Sequence, residues 1–338
     1  MKTKILLTSA LLLASIMQGA VLTVSNSVAN PGQYSSLPAA ITAAQPGDTI
    51  YLHGTPASYG SITISKPLVI IGTGHHPRKQ TPQVSILNQI DITSSDVTID
   101  GLSFNVLLMG WIAFNNITIR NCQIANNLEI GYASPGISNM LIENNVIMNG
   151  NSYGINFNGS TVLSNVIVRN NIFHSKFMGA ASAGLVIDHN FFYSTGQPDA
   201  FSGVSLATIT NNIFYVMSPQ GASNSTFNNN ITYNTLNNTL PYGTNLGTGN
   251  LINTDPQFVN YPLAGQLFIA AHDYHLQAGS AGKNAATDGT DIGIWGGVGF
   301  SMTGEPPIPV IRLLDVNNPN VPVGGTLNVH LKSSKSSK

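Results

Sequence analysis

Seven segments of this chain superimpose without gaps on one eight-residue template. They are VTIDGLSF from Val97, ITIRNCQI from Ile117, MLIENNVI from Met140, VIVRNNIF from Val166, LVIDHNFF from Leu185, ATITNNIF from Ala207 and STFNNNIT from Ser225. The template reads apolar, any, apolar, any, Asn, Asn, any, apolar. Its second apolar position, Ile99, Ile119, Ile142, Val168, Ile187, Ile209 and Phe227, recurs at spacings of 20, 23, 26, 19, 22 and 18 residues. Alternating β-branched residues and abundant Asn exclude a helical hairpin as the unit, and the regularly placed Leu of a leucine-rich repeat is missing. A stack of short strands fits. Each repeat is one coil, successive coils lie about 4.8 Å apart, and inward residues of neighbouring coils form a continuous core.

The paired Asn positions give two columns. The first reads Gly101, Asn121, Asn144, Asn170, His189, Asn211 and Asn229; the second reads Leu102, Cys122, Asn145, Asn171, Asn190, Asn212 and Asn230. Asn tolerates the left-handed backbone of a sharp bend between strands, and stacked Asn side chains can hydrogen-bond from coil to coil. Which column points inward is left open. The two columns hold ten of the 29 Asn between Asn115 and Asn260, and the template makes sequons such as those at Asn116 and Asn230 its by-products.

With these repeats the chain resembles the right-handed parallel β-helix superfamily, the pectin-lyase-like fold, over residues from about 30 to 300. Two further segments carry the resemblance. Leu37, Ala40, Ile41 and Ala44 mark one face of a short helix, and the chain then turns at Pro46–Gly47–Asp48 into a strand, like the N-terminal cap of these proteins. DYHLQAGSAGKNAATDGTDIG, from Asp273 to Gly293, is similar to the closing segment of secreted members. The expectation is an all-β, right-handed, single-stranded parallel β-helix with a short N-terminal capping helix. Residues 1–20 read as a signal peptide and residues 21–300 as the β-helix with its cap and closing segment. Residues 301–338 read as an extension in which VIRLLDV and TLNVHL form a hairpin before an unstructured KSSKSSK tail. The superfamily holds lyases, hydrolases, esterases and non-enzymes, so fold alone does not name an activity.

Lys2 and Lys4 precede a run from Ile5 to Met17 without charge, followed by Gly19 and Ala20. That pattern is an export signal too short to be an ordinary membrane span. It implies a secreted protein, extracellular or periplasmic, with no membrane span once the signal is removed; a monomer is expected. Cys122 is the one cysteine, so no intrachain disulfide forms. Lys and Arg number 13 and Asp and Glu 14 among 338 residues, which supplies no basic surface for nucleic acid.

Three sets of residues are candidates for chemistry. The position before the first Asn column reads Asp100, Arg120, Glu143, Arg169, Asp188, Thr210 and Asn228. Alternating signs on adjacent strands form an exposed ion-pair ladder that fixes register, or supply an Arg to a uronate. The position after the closing apolar residue places His174, Tyr193 and Tyr215 on three successive coils, with Phe173, Phe192 and Phe214 inward. The three rings are expected to face outward as a row that stacks on sugars or on itself, open to cover by inserted loops. Lys176, the only Lys between Lys79 and Lys283, follows two residues after His174.

Resemblance to the polysaccharide lyases of the fold implies a basic residue that removes the proton beside a uronate carboxylate, a role open to Lys176. His174 or Tyr193 would transfer a second proton. Tyr215, Asp188 and Asp199 then contact substrate, and Asp188 and Asp199 are also the nearest acids for a hydrolase. Calcium, the usual helper in those lyases, needs six to eight oxygen ligands; no dense acidic cluster indicates it, and Asp288 and Asp291 sit in the closing segment. Two functions follow: a β-eliminating lyase of extracellular polysaccharide, or a non-catalytic glycan-binding or scaffold protein, which the scarcity of Lys and Arg favours. Ice binding is discounted because no outward Thr ladder aligns.

Overall fold

The computed structural model describes residues 19–75, 83–149, 153–157, 162–179, 181–261, 268–269, 271–317 and 320–335. The export signal therefore lies almost wholly outside the described residues. Ten parallel strands, in strict chain order from Val21–Val24 to Thr226–Asn228, form one sheet, here sheet A. The register of sheet A is the register of the repeats. Ile99 pairs with Ile119, Ile119 with Ile142, Ile142 with Val168, and so on to Ile209 with Phe227. A second parallel sheet, sheet B, follows each bend, and the chain is a right-handed parallel β-helix.

The two Asn columns have separate tasks. Every member of the first column has positive φ, from 51° at Asn170 to 71° at Gly101, and makes the bend from sheet A to sheet B. The second column points inward. Asn145, Asn171, Asn190, Asn212 and Asn230 are fully buried. From Asn171 on, each Oδ1 accepts the backbone N–H and side-chain N–H of the Asn one coil earlier, as Asn190 Oδ1 does from Asn171 at 2.9 and 3.0 Å, and Asn145 Oδ1 accepts the backbone N–H of Cys122 at 3.0 Å. The ladder continues one coil further than the template, to Asn250. The stretch from Asn234 to Gly249, rich in Asn, Thr and Gly, thus belongs to a last irregular coil, and Leu246 bridges Thr226 in parallel. A second left-handed bend, at Asp96, Asn116, Asn139 and Asn165, precedes the straight part of each sheet A strand. Its side chains also bond between coils, Asn116 to Asp96 and Asn165 to Asn139, both at 2.7 Å.

Inside, Phe173, Phe192 and Phe214 stack face to face at 4.7 and 5.1 Å, as inward positions of successive coils must. The helix Leu37–Ala43 buries Leu37, Ala40 and Ile41 over the first coil, with Ala44 buried beside them. Lys66 donates to the carbonyl of Ala44 at 2.8 Å, at the helix C-terminus, where a cation is favoured. Gly47 turns with φ 91°, and Asp48 accepts N–H bonds from Ala20 and Gln45, both at 2.7 Å.

The segment from Ala285 to Pro306 runs back along the outside of the first Asn column. Asn229 donates to Ala285 O, Asn211 to Thr287 Oγ1, and Asn170 to the carbonyls of Ile294 and Gly296. Gly304 lies against Asn121 and His75, and Pro306 against Gly101. The C-terminal hairpin is present, pairing Pro309–Val316 with Val329–Lys335. Its second strand starts later than TLNVHL and uses Lys332–Lys335 of the tail expected to be unstructured.

Candidate functional site

Sheet B divides. The strand Gln123–Tyr132 pairs through Gln123 and Ile124 with Val146–Ile147, and through Leu128–Ile130 with Ile155–Phe157. From there two branches run on. One contains Ile172–Phe173, Phe191–Tyr193, Ile213–Tyr215 and Ile231–Tyr233; the other contains Lys176–Met178 and Phe201–Ser202. His174 follows directly on a strand of the first branch and Lys176 begins a strand of the second. A chain bend therefore separates two residues that sequence spacing had placed on one face.

His174, Tyr193 and Tyr215 do form a row pointing away from the interior, with ring centroids 5.6 and 6.1 Å apart. The row is not open to solvent. The residues are 1%, 2% and 7% exposed. The chain after Leu251 covers them, with Tyr261 edge-on to Tyr193 at 5.6 Å and to Tyr215 at 5.5 Å. Together with Phe191, Ile213 and Tyr274 the row makes a second hydrophobic core outside the coils. The sugar-stacking surface expected here is replaced by protein, because these rings bury large apolar area once a chain segment is available to cover them. The Phe268 backbone N–H donates to His174 Nε2 at 3.0 Å. Burial, opposed by a hydrogen bond to the Tyr193 backbone and assisted by His272, lowers the His174 pKa to about 4, so the ring is neutral near pH 7. Burial also raises the hydroxyl pKa values of Tyr215, Tyr261 and Tyr274.

Lys176 is half-buried on the second branch, paired in register with Tyr153. Asp199 lies one coil beyond, bridged to Ser218, and Asp188 lies at the end of a sheet A strand. The structure thus brings His174, Tyr193 and Tyr215 together and places Lys176, Asp188 and Asp199 elsewhere.

The charged column is also more buried than an exposed ladder. Arg120 pairs with Asp100 at 2.8 Å and Arg169 with Glu143 at 2.6 Å, and both acids are covered while both Arg are partly exposed. Asp188 takes no part in an Arg pair of this kind. Its Oδ2 lies 2.9 Å from His189 Nδ1, and Thr210 and Asn211 donate to Oδ1 at 2.8 Å. Burial alone would raise its pKa; the hydrogen bond and charge of His189 and the two donors outweigh that and lower it.

The carboxylates considered for calcium do not fit it. Asp188 is bonded as above, Asp288 accepts from Thr290 at 2.6 Å, and Asp291 accepts from Lys283 at 2.7 Å. Among the described residues no group of three or more His, Cys, Asp or Glu is arranged to hold a metal ion.

The open polar surface lies on the outer side of the Lys176 branch and the undivided strands before it. One row across the coils reads Asp91, Leu108, Glu129, Asn156, Met178 and Ser202 in register. Their strand neighbours Ile90, Leu107, Leu128, Ile155 and Phe177 point into the core. Glu129 is fixed from both sides, with Asn127 donating to Oε1 at 2.5 Å and Asn156 to Oε2 at 2.6 Å. Gln89 donates to Asp91 at 2.7 Å. Just past this row along the strands stand Trp111 and Tyr132, 72% and 59% exposed, their rings edge to face at 5.2 Å. Trp111 holds φ 73°, a conformation that costs a bulky L-residue about 1–2 kcal/mol. Its N–H donates to Tyr132 O at 2.9 Å, which pins the turn. Sequence reasoning missed this surface because Trp111, Glu129 and Tyr132 lie outside the eight-residue template. The available signal was Trp111 itself, an aromatic residue directly after a glycine in a turn.

A family model described as "Right handed beta helix region" matches residues 81–192. Solved structures similar to the chain include the pectin methylesterase from Aspergillus niger, at 12% identity and TM-score 0.39, covering 75% of this chain and 93% of that one. A pectate lyase, Pel9A, is similar at 15% identity and TM-score 0.41, covering 83% and 97%. An alginate lyase from Paenibacillus sp. is similar at 17% identity and TM-score 0.32, covering 64% and 96%. No curated protein matches the chain in sequence.

Proposed function

We propose that the protein is exported and binds an extracellular polysaccharide along the outer face that carries Glu129, Asn127 and Asn156, with Trp111 and Tyr132 as its stacking platform. The observation that carries this reading is the exposed aromatic pair beside a carboxylate oriented by two amides. Aromatic faces match the apolar faces of sugar rings, and fixed acceptors and donors read their hydroxyls. Binding is preferred to elimination because His174 and Tyr193, the proton-transfer partners considered for Lys176, are buried beneath the chain that follows Leu251.

The test is affinity gel electrophoresis of the mature chain against a panel of polysaccharides, with products read by mass spectrometry. Retardation by at least one polymer is expected, weakened about tenfold or more in Trp111→Ala, with an unchanged melting temperature because the side chain is exposed. Absence of retardation by any polymer would overturn the reading. Unsaturated uronate ends among the products would overturn it in favour of a lyase.

A further inference from the structure

Whether this face takes a charged or an uncharged polymer is decided by the groups it offers. We infer that its ligand is an uncharged polysaccharide and that Glu129 is the residue that selects it, an inference that rests on the polysaccharide reading above. Among the described residues from 83 to 261 the Lys and Arg residues are Arg120, Arg169 and Lys176. Arg120 and Arg169 belong to sheet A and are ion-paired there with Asp100 and Glu143. The face itself carries two acids, Asp91 and Glu129, in one row on either side of Leu108, and one base, Lys176. Two coils separate the acids, about 10 Å at the strand spacing. Both lie within about a Debye length of a chain laid across Leu108.

A polyuronate laid on this row would bring further carboxylates against two fixed negative charges, with a single cation to offset them. An uncharged sugar meets no such opposition, and its hydroxyls supply what Glu129 lacks. Each Glu129 oxygen already accepts one amide N–H and retains a lone pair for a second donor. A hydroxyl can donate there; a uronate carboxylate cannot. Leu108, partly exposed between the acids, adds apolar surface for a sugar face. Asn127 and Asn156 are positioning residues in this arrangement, since they aim the carboxylate.

The experiment compares hydroxyethyl cellulose, galactomannan and xylan with polygalacturonate and alginate, by affinity electrophoresis and by calorimetry with oligosaccharides, at low and physiological salt. The wild type is expected to bind at least one neutral polymer about tenfold or more tighter than either polyuronate, with little salt dependence. Glu129→Gln keeps the shape and removes the charge; it should weaken neutral binding about tenfold, because hydrogen bonds to ionised acceptors are roughly twice as strong. Glu129→Lys should move the preference toward polygalacturonate and make it salt-sensitive. Trp111→Ala should weaken whichever polymer binds. Tighter, salt-sensitive binding of a polyuronate by the wild type would overturn the inference and leave the polysaccharide reading standing. Neutral binding unaffected by both Glu129 variants would overturn the role of Glu129. No binding of any polymer by a folded wild type would overturn the polysaccharide reading itself, and the inference with it.

Discussion

The backbone N–H of Phe268 donates to Nε2 of His174 across 3.0 Å of space and 94 residues of chain. This bond joins the chain that follows Leu251 to the coil beneath it, and it requires an imidazole nitrogen with a free lone pair. Stability should therefore depend on pH. In the unfolded chain His174 binds a proton below about pH 6.5, whereas in the folded protein burial delays this to about pH 4. Between those values the unfolded state carries the extra proton, so stability falls as pH falls, by about 3 kcal/mol in all. Thermal melts from pH 7 to pH 4 should show this loss, and His174→Gln should flatten it. An unchanged slope in the variant would assign the effect to other groups. Asp188 and Asp288, both held below the usual carboxylate range, act in the same direction at lower pH, as their protonation removes bonds to His189 and Thr290.

The interior ladder sets the second expectation. Asn190 accepts from the backbone and side chain of Asn171, and donates to the carbonyls of Val168 and Asp188. Asn190→Ala leaves the buried Asn171 backbone N–H unpaired, while the Asp188 carbonyl keeps the N–H of Asn170. An unpaired buried group costs about 1–3 kcal/mol and each other lost hydrogen bond about 1 kcal/mol, so a loss of about 2–4 kcal/mol is expected in denaturant titration. A loss below 1 kcal/mol would mean that water enters the column.

Removing Arg169 takes an ion-pair partner from the buried carboxylate of Glu143. Arg169→Ala should cost about 3 kcal/mol, whereas the double change Arg169→Met with Glu143→Leu should cost far less. Equal losses in the two proteins would show that packing of the Arg stem, not the lost ion pair, carries the effect.

Gly296 lies where the segment from Ala285 to Pro306 passes over the first Asn column, its carbonyl accepting from Asn170 at 2.9 Å. A Cβ there would collide with the carbonyl oxygen of Asp291 and the ring of His189. Gly296→Ala should lift the segment from the first Asn column, seen as protease cleavage between residues 285 and 306. A variant as resistant as the wild type would show that the backbone can shift without detachment.

The repeats made the coil stack legible because strand register, the left-handed bends and the inward Phe stack all follow from one periodic template. The division into two Asn columns was legible as a pattern, while their directions were not. Alternation shows that neighbouring residues face oppositely, but the bend at positive φ interrupts it between Asn170 and Asn171. The fate of His174, Tyr193 and Tyr215 was illegible for another reason. Their direction follows from alternation, but their cover comes from Phe258, Tyr261 and Phe268, which lie far along the chain and belong to no repeat. That Lys176 and His174 belong to different branches was illegible, because the division of sheet B shows only in the pairing of Gln123–Tyr132 with two later strands. Trp111 and Tyr132 gave no periodic signal, since they stand on turns and strand ends.

The return of the chain from Ala285 to Pro306 along the outside of the stack has a mechanical consequence. Coils in a solenoid touch only their neighbours and under tension would peel away from an end one at a time. Here a single strap grips side chains or backbone from Asn229 back to Gly101, as a tie rod clamps a pile of plates. Pulled from its ends, such a body should hold its length until the strap releases and then yield in one large step. For a protein whose proposed site spans coils from Asp91 to Lys176, that clamp keeps the spacing of the binding row constant under load.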